Sequence, residues 1–336
     1  MNVLVIGGMG FISGALVRRL VSEGHGVTVL TRGKGEGVID ARVKRLVGDR
    51  RIPAELEAVV GRTTYDVVYD MIAYQPAESS AAARIFRGKV GRFIHCSTVS
   101  VYMVSDAVRC PITEDQDRGP LMDYWERNPF GMSYGIRKRE CEDVLWRAHD
   151  AKTFPVSMVR PTFVCGPHDP AGRDYFWIER ILDGRPLLVP GSGDCAFQLV
   201  NVEDVAQALA QLPEDSASAG KAYNVAGEEI FSLNEYLRAL GNLLGRSPEL
   251  FHVQRETFER QPFSTSEAGD VFPYDVRRTA VFSLDRIKRD LGFRPTPFDD
   301  WMRKTIDWLL ASPRPHSHGY GRREEELAVL RSVGRA

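Results

Sequence analysis

An α/β fold built on a doubly wound parallel sheet is what this sequence predicts, and three observations carry the prediction. Short β-branched runs alternate with stretches of helical periodicity. Several of those runs are apolar throughout, as strands covered on both faces are. The first of them passes directly into a cluster of glycines and then into a helix.

Taken in order, strands are expected at 2–6, 26–30, 43–47, 66–71, 92–96 and 156–159. The clearest helix covers 13–22, with Leu16, Val17 and Leu20 on one face and Gly24 to stop it. A second long helix runs over 134–148. After Pro161 the pattern loosens: Gly166, Pro167, Pro170, Pro186, Pro190, Gly191 and Gly193 mark loops and short elements over the sheet's carboxyl edge, the expected substrate side. A linker follows 310, and 322–330 reads as a short charged helix.

Composition narrows the partners. The chain has 336 residues, 43% of them hydrophobic, enough to bury a substantial core. Its formal charge is -1, so no basic face of the kind that grips nucleic acid is expected, and a small-molecule partner is favoured. Cys96, Cys110, Cys141, Cys165 and Cys195 form no Cys-x-x-Cys pair, and their odd number argues for a reducing, cytoplasmic setting. No apolar run reaches the ~18 residues of a membrane span, and no basic stretch precedes the first strand as in a signal peptide. His316 and His318 lack the further ligands a metal site would need.

Gly7, Gly8 and Gly10 follow the first strand, and Phe11 and Ile12 open the helix. Glycines at such a turn let backbone N–H groups approach a phosphate, and the helix N-terminus favours its charge. Strand before and helix after make this a dinucleotide site of the Rossmann type. The second strand ends at Thr31, then Arg32 and Lys34, with no carboxylate to accept from a ribose 2′-hydroxyl. Guanidinium and ammonium groups there favour NADP, with NAD the alternative if those charges are merely solvated.

Tyr134 and Lys138 lie four apart and share one helix face. A phenol is a poor base near neutral pH, and a neighbouring ammonium favours its ionised form. Tyr134 can then carry the proton of a hydroxyl while hydride moves to or from a nicotinamide. Ser97 and Thr98 stand where the fifth strand ends, at the ligand edge of such sheets, and can hold the substrate oxygen.

With these motifs the chain resembles the extended short-chain dehydrogenase/reductases, specifically the NAD-dependent epimerase/dehydratase family. The likeness runs from Met1 to about Leu310: the Gly-Gly-Met-Gly-Phe-Ile turn, Gly48-Asp49, Ser97 to Tyr102, Tyr134 to Lys138, Arg160-Pro161 with Gly166-Pro167, Val202 to Val205, Tyr223 to Gly227, and Leu291-Gly-Phe. The resemblance implies the Ser/Thr role for Thr98, the acid/base role for Tyr134, and nicotinamide ribose binding for Lys138. It also implies an adenine contact at Asp49, an adenosine contact at Ala73, nicotinamide contacts from Pro161 to Phe163, and a homodimer.

Departures from the family are informative. Its third turn glycine is Ser13, whose hydroxymethyl is expected to push the helix off the strand. Val99 and Ser100 stand where dehydratases and decarboxylases of the family carry extra acids and bases, which favours epimerisation or simple hydroxyl/carbonyl interconversion. Phe163, Phe197 and Phe272 align with polar grips on a nucleotide-sugar diphosphate, which points to an apolar or ring-stacking group unless they are core residues. Ser97, Ser100 and His168 complete the candidate substrate contacts.

The expected organisation is a dinucleotide-binding domain over 1–165, to which the chain returns around 196–226. Residues 166–195 and 227–312 form the substrate-binding region, and 313–336 a tail. The expected activity is an NAD(P)-dependent epimerase or reductase acting on a sugar-like small molecule. A ketoreductase for an apolar metabolite and a non-catalytic cofactor-sensing or RNA-binding relative are the alternatives.

Overall fold

The computed structural model describes residues 1–33, 40–122, 132–259, 272–311 and 316–332. Its central sheet has seven strands, all parallel. With β1 (Asn2–Ile6), β2 (Gly26–Thr31), β3 (Lys44–Val47), β4 (Tyr65–Asp70), β5 (Val90–Cys96) and β6 (Val156–Pro161), the order is Lys221–Val225, β6, β5, β4, β1, β2, β3. The strand order reverses beside β1, and the carboxyl ends of strands at such a reversal are where folds of this kind take their ligands. Val3, Leu4, Val5 and Ile6 are each 0% exposed, which explains the unbroken apolar run: helices cover both faces.

The helices of this layer are α1 (Phe11–Ser22), α2 (Pro53–Val60), α3 (Pro76–Ile85), the single turn α4 (Ser100–Met103) and α5 (Met132–Asp150). Helix α1 begins two residues before the expected start, because Gly10 leaves extended backbone directly for the helix. Helix α3 has Pro76 at its first turn, where a missing N–H is no loss, and Glu78 accepts the N–H groups of Tyr74 (2.7 Å) and Gln75 (3.1 Å). Helix α5 is anchored by Arg160, which is 0% exposed and donates to Glu142 at 2.9 and 2.6 Å and to the Tyr102 hydroxyl at 2.7 Å. Breaking such a buried pair leaves a charge without compensation, so α5 is fixed relative to β6 and α4.

The chain divides into two compact units, Met1–Val164 with Val202–Ala226 and Phe282–Pro295, and Cys165–Asn201 with Gly227–Val281 and Thr296–Ala336. This differs from the sequence-based division at three places, one of them the tail, which here belongs to the second unit. Residues 196–201 belong to the second unit, where that strand pairs antiparallel with Ile230–Ser232 and Ala280 N–H reaches the Ala196 carbonyl at 2.8 Å. Residues 282–295 belong to the first, where Ser283 N–H reaches the Ile112 carbonyl at 2.9 Å.

The second unit has an aromatic interior. Phe197 stacks on Tyr274 with centroids 5.4 Å apart, Trp177 stacks on Phe272 at 5.8 Å, and Tyr236 meets Tyr274 edge-on at 5.2 Å. Its helix α6 (Arg173–Leu182) carries Arg180, whose Nε lies 3.0 Å from Glu326 on the helix Arg323–Ser332, both side chains 0% exposed. The terminal helix is thus packed into this unit.

Candidate active site

The glycine turn comes first along the chain. Gly7 has φ +84°, and a Cβ there would stand 2.6 Å from Ile72; one on Gly8 would stand 2.5 Å from Val29. Side chains are excluded, and the backbone is left bare at the start of a helix whose first turn holds no acidic residue. Ser13, 3% exposed, turns its side chain back onto the glycine turn. Its hydroxyl donates to the Gly7 carbonyl (2.5 Å) and accepts the Gly10 N–H (2.8 Å), so the extra atoms are absorbed as a clasp across the turn. Phe11 and Ile12, half-buried, begin α1 beside it.

At the carboxyl end of β2 the Thr31 hydroxyl accepts from Gly33 N–H and from Arg45 Nε, each at 3.3 Å. Arg32 is exposed next to it, and Lys34 lies outside the described residues. Asp49 is engaged by Arg51 through Nε at 3.0 Å, and those hydrogen bonds hold its carboxyl at about 2. The Asp49 carboxylate is thus already paired with a guanidinium.

At the carboxyl end of β5, the Thr98 hydroxyl donates to Ser100 Oγ (3.2 Å) and accepts the Ser100 N–H (3.2 Å), and it stands near enough to the Tyr134 phenol to favour the ionised form. Gly135 makes that approach feasible: a Cβ there would stand 2.6 Å from the Ser100 carbonyl, so only glycine lets α5 lie this close to α4. Tyr134 is 39% exposed, yet desolvation of its hydroxyl raises the phenol above its ordinary value, the Thr98 hydroxyl opposing.

Lys138, one turn further along α5, is 2% exposed. Its ammonium donates to the Ala73 carbonyl (3.0 Å), the Cys96 carbonyl (2.7 Å) and His95 Nε2 (3.1 Å), and burial lowers its proton affinity. Ala73 is itself 0% exposed and offers its carbonyl to Lys138, so its side chain does not line a cleft. Tyr74 is exposed and its ring centre lies 6.3 Å from that of Tyr134.

The remaining candidates separate. Ser97 is buried, with its hydroxyl lacking a hydrogen-bond partner among the described residues. Pro161 is buried at the end of β6, where its carbonyl accepts the Val99 N–H at 3.1 Å, and Phe163 is half-buried just beyond. His168 is exposed in the second unit, its ring 4.4 Å from that of Trp308. Phe197 and Phe272, expected to face a substrate, are 1% and 0% exposed and belong to the aromatic interior. Ring stacking and apolar burial decide their place, and the core alternative is the one realised.

A sequence profile described as the NAD dependent epimerase/dehydratase family matches residues 3–226, two thirds of the chain. The chain belongs to that family. It is an enzyme of the family's extended short-chain dehydrogenase/reductase type. Among curated relatives, the chloroplast stem-loop binding protein of 41 kDa b of Arabidopsis thaliana is 27% identical, covering 88% of this chain and 75% of that protein. A 2′-dehydrokanamycin reductase of Streptomyces kanamyceticus is 24% identical, over 97% of this chain and 90% of that protein. A Thermotoga maritima UDP-glucose 4-epimerase, solved with UDP-glucose, superposes with TM-score 0.71 at 19% identity, covering 93% and 99% of the two chains. Bordetella bronchiseptica WbmH, solved with NAD+, gives TM-score 0.69 at 19% identity, covering 92% and 99%. At these identities the solved structures bear on the fold.

Against this family background, sequence reasoning passed over Arg45, Tyr74 and His95. Arg45 was legible as a charge on the strand beside β2, two residues in register from the partner of Thr31. Tyr74 and His95 carried no spacing signal, because their proximity to Tyr134 and Lys138 comes from three different strands and helices meeting at one edge.

Proposed function

We propose that this protein is an NAD(P)-dependent enzyme that interconverts a hydroxyl and a carbonyl on a sugar-like small molecule, with Tyr134 as acid/base. The observation that carries the reading is the Tyr134 phenol beside Thr98, with the buried Lys138 ammonium donating to two main-chain carbonyls one helical turn away. The cofactor, when bound, supplies the site that takes or gives hydride. Thr98 orients the substrate oxygen, Tyr134 Oη passes its proton, and the Lys138 charge favours the phenolate that burial otherwise disfavours. The bare glycine cradle fits a pyrophosphate.

The relatives favour a sugar substrate, and the 2′-dehydrokanamycin reductase, which matches nearly the whole chain, favours reduction. An epimerase returns its cofactor unchanged, whereas a reductase consumes reduced cofactor in proportion to product. Tyr134→Phe is expected to lower kcat by about 10²- to 10⁴-fold with cofactor affinity kept; unchanged turnover overturns the reading.

For the cofactor we infer NADP preference, from Arg32 just after β2, the Arg45 side chain reaching Thr31 from β3, and the pairing of Asp49 with Arg51. Titration of intrinsic fluorescence with NADPH and NADH measures this. Arg32→Ala and Arg45→Ala are each expected to weaken NADPH by about tenfold, the scale of one hydrogen bond to a charged group, and to leave NADH unchanged. Equal or tighter NADH binding by the parent protein refutes the preference.

A second reading, RNA binding, draws on the likeness to the stem-loop binding protein. It is favoured if a stem-loop RNA binds with a steep salt dependence while neither dinucleotide does.

A further inference from the structure

The Lys138 ammonium has three N–H donors and meets three acceptors: the carbonyls of Ala73 and Cys96, and His95 Nε2 at 3.1 Å. The carbonyls belong to the main chain at the carboxyl ends of β4 and β5, and any sequence would present them. The third acceptor is a side-chain choice. His95 lies in β5 between β4 and β6, opposite Asp70 on one side and Met158 on the other, and is 0% exposed.

An ammonium only donates, so His95 Nε2 accepts, and the ring proton resides on Nδ1. Among the described residues that Nδ1 is buried without a hydrogen-bond partner. An aliphatic residue at this point of the strand would avoid that loss, so the imidazole has to be explained by what its other nitrogen does. Burial first, then the charges of Lys138, Arg50 and Arg160, keep the ring neutral and therefore able to accept. The groups acting electrostatically on Lys138 are Asp70 from β4, Cys96 from β5, and Cys141 and Glu142 from α5.

We propose that His95 is a positioning residue whose neutral imidazole supplies the third acceptor that keeps Lys138 charged and aligned for Tyr134. The proposal rests on reading Lys138 as the cationic partner of Tyr134. His95 touches neither substrate nor the reacting atoms; its effect passes through the ammonium. A glutamine at position 95 can place an amide oxygen near where Nε2 stands, whereas a leucine of similar bulk offers nothing.

The test uses the full chain labelled with ¹⁵N-lysine and ¹⁵N-histidine; seven histidines leave the ring signals resolvable. His95 is expected in the Nδ1–H tautomer. His95→Leu is expected to lower the Lys138 Nζ titration midpoint by about one pH unit or more, through loss of an acceptor to a buried cation. The same variant is expected to weaken NADPH by about tenfold, read from the fluorescence of the nucleotide. His95→Gln restores both. An Nε2–H tautomer in the parent protein overturns the proposal without any variant. So does a folded His95→Leu protein with the parent's Nζ midpoint and NADPH affinity, or a His95→Gln protein as impaired as the leucine variant. If the parent binds neither NADPH nor NADH, the oxidoreductase reading fails, and the tautomer and Nζ midpoint still decide the role of His95.

Discussion

The two units of this protein bury different things. The first is built on largely aliphatic strands, and four of its buried polar groups, Lys138, His95, Asp70 and Arg50, gather toward the carboxyl ends of β4 and β5. The second is built on interlocked rings, and its most buried ion pair, Arg180 with Glu326, binds a helix to the end of the chain. Buried polarity is costly in either place. In the first unit it serves the edge where chemistry is proposed; in the second it joins elements far apart in sequence.

Three substitutions can break or sharpen that contrast. The largest effects are expected in the second unit. Glu326→Ala would leave Arg180 buried opposite no carboxylate, a loss of about 3–5 kcal/mol, read as a lower midpoint in guanidinium unfolding. A near-neutral result would show that the terminal helix is dispensable. Phe272→Ala is expected to cost a similar amount, about 3–5 kcal/mol, because the cavity beside Trp177 and Phe176 cannot collapse without shifting several rings. Stability is the quantity expected to change. A stable Phe272→Ala protein with altered substrate preference would return that residue to the substrate pocket.

The smaller effect belongs to the first unit. Gly135→Ala forces a Cβ toward the Ser100 carbonyl and Val104, an overpacking cost of about 1–3 kcal/mol. Its signature is functional: α5 must retreat from α4, so Tyr134 loses Thr98, and turnover is expected to fall further than stability explains. Melting temperature and kcat measured together check this, and equal, small changes in both would show that the α4–α5 spacing is not what places the phenol.

Legibility in the sequence follows the same division. Strand β1 and helix α1 were readable because their apolar periodicity is local, and Tyr134 with Lys138 because four residues make about one turn. Thr98 was readable as the end of a strand. Phe197 and Phe272 were not, since an aromatic on the page of a sequence does not reveal whether its neighbours are rings or solvent. Their partners, Tyr274 and Trp177, lie tens of residues away. The partners of the Ser13 hydroxyl were not legible either, since they come within reach only once the turn has closed.

By itself, then, the sequence determined the α/β class, the glycine turn and the helix face that carries Tyr134 and Lys138, all of which depend on repeats within a few residues. Tertiary structure alone decided that Lys138 shares its ammonium with His95 and two carbonyls, and that the second unit closes on a ring core. Local periodicity fixes which face a residue occupies. The meeting of separate strands and helices fixes what that face touches, and the protonation and reach of a side chain depend on the latter.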